Sequence, residues 1–200
     1  MSKRAGGVGR RILAKGIVGL FIVGALAIGV PLFTEDPRAE ASAAAALPEA
    51  APPVTLGKSG LPIPRFVSLK SSRVNVRVGP GKDYNVVWTF TRPDLPLEVI
   101  QEFDNWRRIR DSDGSVGWVF HSLLSGERTA VISPWATSDG AVPIRASASE
   151  AAGVTAYLQP RVMAAVDRCD AGWCRLKGEG FAGWIEQANL WGVYPNEEVE

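Results

Sequence analysis

The chain reads as one short module written twice, and a duplication constrains the fold more than any single motif does. Asn75-Val76-Arg77 returns as Pro143-Ile144-Arg145, Trp106-Arg107-Arg108-Ile109 as Trp173-Cys174-Arg175-Leu176, and Gly117-Trp118-Val119 as Gly183-Trp184-Ile185. The offset between copies drifts from 68 to 67 to 66 residues. Changes that small belong in turns, which tolerate them, and not inside strands, where one residue would flip every side chain to the other face. A module of this size buries little core and forms no deep cleft of its own, which points to binding or positioning before catalysis.

Within the first copy, short β-favouring runs alternate with turn residues. Val74 to Val78 alternates apolar and polar side chains and ends at Gly79-Pro80-Gly81, a turn signal built from glycine freedom and proline rigidity. Val86–Phe90, Leu97–Phe103, Trp106–Arg110 and Val116–Phe120 give four more strands, with Asp104-Asn105 and Asp113-Gly114 at hairpin positions. Five short antiparallel strands close most economically as a small barrel, because an open sheet of that size leaves an edge unpaired.

Those motifs, in that order and spacing, resemble the bacterial Src homology 3 type of domain found in exported and cell-envelope proteins. The resemblance covers residues 66–128, and the second copy follows it with Pro143 for Asn75 and Ser147-Ala148-Ser149 for Gly79-Pro80-Gly81. It implies an all-β protein of two tandem SH3-like barrels that bind peptides, cell-wall components or neighbouring domains and are not enzymes. The expected organisation is a signal peptide or membrane anchor over 1–38, an Ala/Pro-rich linker over 39–64, barrels over 65–128 and 129–195, and an acidic tail over 196–200.

Export is read from the N-terminus. Lys3, Arg4, Arg10, Arg11 and Lys15 precede an uncharged run of 18 residues, Gly16 to Phe33, and Glu35-Asp36 follow it. That charge order fits translocation, and the length sits between a cleaved signal and a spanning helix. Arg10-Arg11 also matches part of a twin-arginine signal, without the preceding Ser or Thr. Both routes lead out of the cytoplasm, to a secreted protein or one anchored at the inner membrane. After Ala39 the prolines interrupt a helix-favouring alanine run and predict a semi-stiff tether.

Charge excludes one class of partner. The net charge of +1 divides into +3 for residues 1–60, +2 for 61–128 and −4 for 129–200, too little and too mixed for a phosphate-binding face, so no nucleic-acid partner is expected. Gly79-Pro80-Gly81-Lys82 lacks the spacing of a phosphate loop. Asp111 and Asp113 lack the alternating ligands of a calcium loop.

Cys169 and Cys174 take the alignment places of Glu102 and Arg107, an opposite-charge pair flanking a turn, so if one pair faces across a hairpin the other does too. In an exported chain such a spacing predicts a disulfide. A metal site would need more ligands, and His121 is the only histidine. A disulfide sulfur is no nucleophile, so neither a Cys–His catalyst nor a cofactor is expected.

Four of the seven tryptophans recur in register (Trp106 with Trp173, Trp118 with Trp184) and answer to the fold. Trp88, Trp135 and Trp191 have no counterpart and are candidates for a ligand surface or the contact between barrels. Tyr84, Trp88, Trp106, Arg107 and Arg108 are the candidate ligand residues, aromatic surface beside positive charge in the copy that keeps its Gly-Pro-Gly turn. The reading is an exported, non-catalytic binding or scaffolding protein of the bacterial envelope, whose partner is an envelope protein or a peptidoglycan peptide. A membrane contact runs through the N-terminal segment if that is retained.

Overall fold

The computed structural model of the protein describes residues 54–200. The apolar N-terminal run and residues 39–53 of the expected linker lie outside the described residues. Among the described residues no helix is long and apolar enough to cross a membrane.

A short hairpin, β1 (Thr55–Leu56) and β2 (Pro62–Ile63), leads into the first barrel. That barrel comprises β3 (Arg65–Leu69), β4 (Val74–Arg77), β5 (Val86–Phe90), β6 (Pro96–Phe103), β7 (Trp106–Arg110), β8 (Val116–Phe120), a 3-10 turn (His121–Leu123) and β9 (Leu124–Ser125). The second comprises β10 (Thr129–Ile132), β11 (Val142–Arg145), β12 (Val154–Leu158), β13 (Met163–Asp170), β14 (Trp173–Gly178), β15 (Phe181–Glu186), a 3-10 turn (Gln187–Asn189) and β16 (Leu190–Trp191). The sheets run β5-β4-β8-β7-β6-β3-β9 and β12-β11-β15-β14-β13-β10-β16, the same topology twice. Even the bulges recur, between Val99 and Gln101 and between Val166 and Arg168.

Each sheet has two strands beyond the five read from sequence. β3 escapes a pattern search because it does not alternate. Val67 and Leu69 point into the first core, while Phe66 and Ser68 on its other face are also buried, so both faces are covered and the period of two disappears. β9 has only two residues.

The cores match position by position. Val76, Val99, Ile109, Val119 and Leu124 in the first barrel correspond to Ile144, Val166, Leu176, Ile185 and Leu190 in the second. The Gly-Trp motif follows from this packing: a Cβ on Gly117 would lie 2.3 Å from Val76 Cγ1, and one on Gly183 would lie 2.5 Å from Ile144 Cγ2. Only glycine lets β8 and β15 cross that close to β4 and β11.

Two expectations need correction at the ends. Residues 54–64, assigned to the tether, fold back on the first barrel: Gly57 and Gly60 close a tight turn, and Ser59 at its tip hydrogen-bonds Glu102 through its backbone N–H (2.8 Å) and its hydroxyl (2.7 Å). Residues 196–200, assigned to a tail, are held to the second barrel. Glu197 pairs with Arg128 at 2.8 Å, and Val199 exchanges backbone hydrogen bonds with Cys169 at 2.8 and 3.1 Å.

Glu102 faces Arg107 and Cys169 faces Cys174, each pair in register across its hairpin. The cysteine sulfurs are bonded to each other and both residues are buried. Unreduced protein should therefore be lighter by two hydrogens in mass spectrometry, and changing both cysteines to serine should cost about 2 kcal/mol of stability in urea unfolding, from the loss of a small closed loop. Two thiols that alkylate without denaturant would contradict this.

Candidate ligand groove

The outer face of the first barrel carries a groove of about 470 Å3. Its floor is aromatic. Trp106 on β7 and Phe120 on β8 are register partners, with ring centroids 5.5 Å apart and edge to face. Leu123 and Ser122 from the 3-10 turn close one end, and Asn75 and Arg77 from β4, Arg73 before β4 and Lys82 from the β4–β5 loop form the rim. An apolar floor with a few polar groups at the edge is how binding sites for small ligands and peptides are built.

The Arg of the Asn-Val-Arg motif has a structural duty here. Arg77 donates to the carbonyl of Tyr84, and Arg145 donates to that of Ala152, so each clamps its own β-strand loop. The loops also share backbone bonds: Val78 N–H to Asn85 O at 3.1 Å matches Ala146 N–H to Gly153 O at 2.9 Å, and Gly81 N–H to Gly79 O at 3.0 Å matches Ser149 N–H to Ser147 O at 2.9 Å. Ser147-Ala148-Ser149 therefore keeps the turn, contrary to the inference from its lost glycines. Gly79 is required by a neighbour: a Cβ there would lie 2.4 Å from the ring of Tyr84, and where Ala152 replaces Tyr84 a serine fits.

Of the candidate ligand residues, Trp106 alone lines this groove. Tyr84 is half exposed but lies over Gly79 and Gly81. Trp88 packs against the core and Phe90, centroids 6.0 Å apart. Arg108 is exposed on the outer face, opposite Trp118. Arg107 points inward, because adjacent residues of a strand occupy opposite faces. Its Nε lies 3.2 Å from Glu102 Oε1, and its Nη1 donates to the carbonyls of Asp104 and Trp106.

The tryptophans without counterparts take three places. Trp88 is core-packed, and Trp191 lies between the barrels, edge to face with Phe66 at 5.2 Å. Trp135 is exposed beside a smaller hollow of about 390 Å3 lined by Leu190, Val193 and Pro195. A larger open cleft of about 690 Å3 between the barrels mixes Arg92, Arg128 and Lys177 with Asp94, Glu127 and Glu200 and has no aromatic floor. Sequence reasoning missed Arg73, Asn75, Arg77, Lys82 and Phe120. The available signal lay between the copies, where Lys82 becomes Glu150 and Phe120 becomes Glu186 while the frame stays fixed.

Glu102 explains why Arg107 is withdrawn from the surface. Burial pushes this carboxyl up, yet the hydroxyl and N–H of Ser59, then Arg65 and the charge of Arg107, together hold it below the ordinary glutamate range. A lowered folded value means the stabilisation is full above the ordinary glutamate value of about 4.3 and is lost as pH falls through the folded value. The Glu102→Gln variant should melt below the parent at neutral pH, with the two melting curves converging in acid. Curves separated equally at every pH would show that this charge does not contribute.

The bacterial SH3 domain family model matches residues 70–126 and again 138–192, together more than half of the chain. The described residues form a pair of small β-barrel modules with an aromatic groove on the first, and the chain belongs to the bacterial SH3 domain family. Among solved structures, NlpC2 from Trichomonas vaginalis is 13% identical with a TM-score of 0.30, covering 64% of this chain and 48% of that one. NlpC1 from the same organism is 12% identical with a TM-score of 0.30, covering 72% and 50%. The chain spans about half the length of these structures. No curated protein matches it.

Proposed function

We propose that this chain is an exported, non-catalytic binding or scaffolding component of the bacterial envelope, with residues 65–128 and 129–195 as its two modules. Residues 1–38 serve as signal or membrane anchor, and the ligand is a peptidoglycan peptide or an envelope protein. The observation that carries the reading is the Trp106/Phe120 groove: an accessible aromatic floor with a polar rim, on a barrel whose core is already filled. Seating a ligand there costs the barrel no rearrangement.

Two features support binding over catalysis. Cys169 and Cys174 are joined to each other, so neither offers a thiolate. His121 lies in an exposed 3-10 turn with its ring against Phe120, centroids 5.0 Å apart, in the other barrel from both cysteines. Family membership points the same way, since the modules act by recognition.

The test is co-sedimentation of the purified protein with purified peptidoglycan. An aromatic anchor is worth roughly 2 kcal/mol, so Trp106→Ala should weaken binding more than tenfold while circular dichroism stays that of the parent. Tyr84→Ala, off the groove, should bind nearly as the parent does. Parent-like binding by Trp106→Ala, with loss in Trp135→Ala, would move the ligand to the second barrel.

A further inference from the structure

We infer that the groove of the first barrel selects a carboxylate-bearing peptide, and that the equivalent face of the second barrel has been changed so as to reject that ligand. This rests on the reading that the groove is the ligand site, and it adds the chemistry of the ligand.

The polar groups at the rim are of one kind. Arg73, Arg77 and Lys82 are cations, and among the described residues none of them lies in an ion pair. Arg77 is held by its bond to the Tyr84 carbonyl, so its guanidinium is positioned before a ligand arrives, with other N–H groups left to donate. The carboxamide oxygen of Asn75 accepts from Thr89 at 2.8 Å, which leaves its NH2 group to donate as well. No carboxylate lines this groove. A donor-only rim matches an acceptor-rich anion, and arginine forks match planar carboxylates. The Trp106 and Phe120 rings below need apolar contact, which a peptide side chain supplies and a polyol phosphate polymer lacks.

The second copy is an internal control on this charge pattern. Loop backbone, clamping arginine and central tryptophan are retained as Arg145 and Trp173, yet Arg73 is replaced by Ala141, Asn75 by Pro143, Lys82 by Glu150 and Phe120 by Glu186. Trp173 sits in register between Asp170 and Glu186. Three cations without an acid have become one cation with two acids, at positions where the frame did not require a change. Like charge repels a carboxylate there, and specificity arises from repulsion as well as attraction.

The experiment uses the full chain and three preparations of peptidoglycan: untreated, amidated at its carboxyl groups, and stripped of phosphate polymers by acid. Binding should fall at least tenfold on amidated material, stay unchanged on stripped material and weaken with added salt. Lys82→Glu should reproduce the loss on untreated material, while Glu150→Gln leaves binding as it was, with circular dichroism confirming that both variants are folded. Placing Arg, Lys and Phe at Ala141, Glu150 and Glu186 in a Trp106→Ala chain should restore binding through the second barrel. Equal binding to amidated and untreated material would overturn the inference and leave the proposed function standing. Loss on stripping would overturn it in favour of a phosphate ligand. Absence of binding to all three would remove peptidoglycan as the ligand of the proposed function, and this inference with it.

Discussion

A buried carboxylate at the junction of the barrels sets the frame in which everything else sits. Glu98 lies on the outer face of β6, its side chain almost inaccessible. Arg110 donates to it from the next strand at 2.7 Å, and the Tyr194 hydroxyl reaches it from the second barrel at 3.0 Å. Burial, then the charge of Glu98, raises the tyrosine well above its usual value, so the phenol stays a donor. Phe66 fills the space beside it against Trp191 and Tyr194, and the hydroxyls of Ser68 and Thr129 share a 2.6 Å hydrogen bond. Glu98 is the buried member, and leaving its carboxylate without these donors would strand a charge away from water. With β9 ending at Ser125 and β10 starting at Thr129, the connection is too short for the barrels to separate far. Residues of both therefore gather into one compact unit.

Inside that frame the duplication shows how one backbone register supports different chemistry. The position of Glu102 and Arg107 is solved by an ion pair in the first barrel, and that solution needs the Ser59 hairpin and Arg65 to satisfy the buried carboxylate. In the second barrel a disulfide removes the charge. The C-terminal segment covers the same region with backbone bonds, and Arg128, the counterpart of Arg65, turns to Glu197 instead. The two terminal segments thus perform the same service, each adapted to what it covers.

Much of this was legible in the sequence because short β-favouring runs are set off by turn residues. Val86–Phe90, Trp106–Arg110 and Val116–Phe120 have the bounds read from the residues, and the cross-hairpin pairing of 102 with 107 and 169 with 174 follows from the alignment of copies. β3 was hidden because its outer face is covered by Trp191 and Tyr194, more than a hundred residues later in the chain. The groove was hidden for a related reason. Its lining comes from three separate stretches, 73–82, Trp106 and 120–123, and the eye-catching doublet Arg107-Arg108 cannot share a face of a strand. The lost glycines of Ser147-Ala148-Ser149 misled because Gly79 serves the Tyr84 ring, a side-chain requirement that the turn itself does not impose.

The two barrels share one frame but differ in their outer faces, and the proposed function places the ligand on the first. The most direct test is a nitrogen-15 spectrum of the indole N–H groups while soluble peptidoglycan fragments are added. The Trp106 signal should move with a saturating concentration dependence, and Trp173, its counterpart in the second barrel, should stay where it was. Movement of Trp173 or Trp135 with Trp106 unchanged would contradict the account.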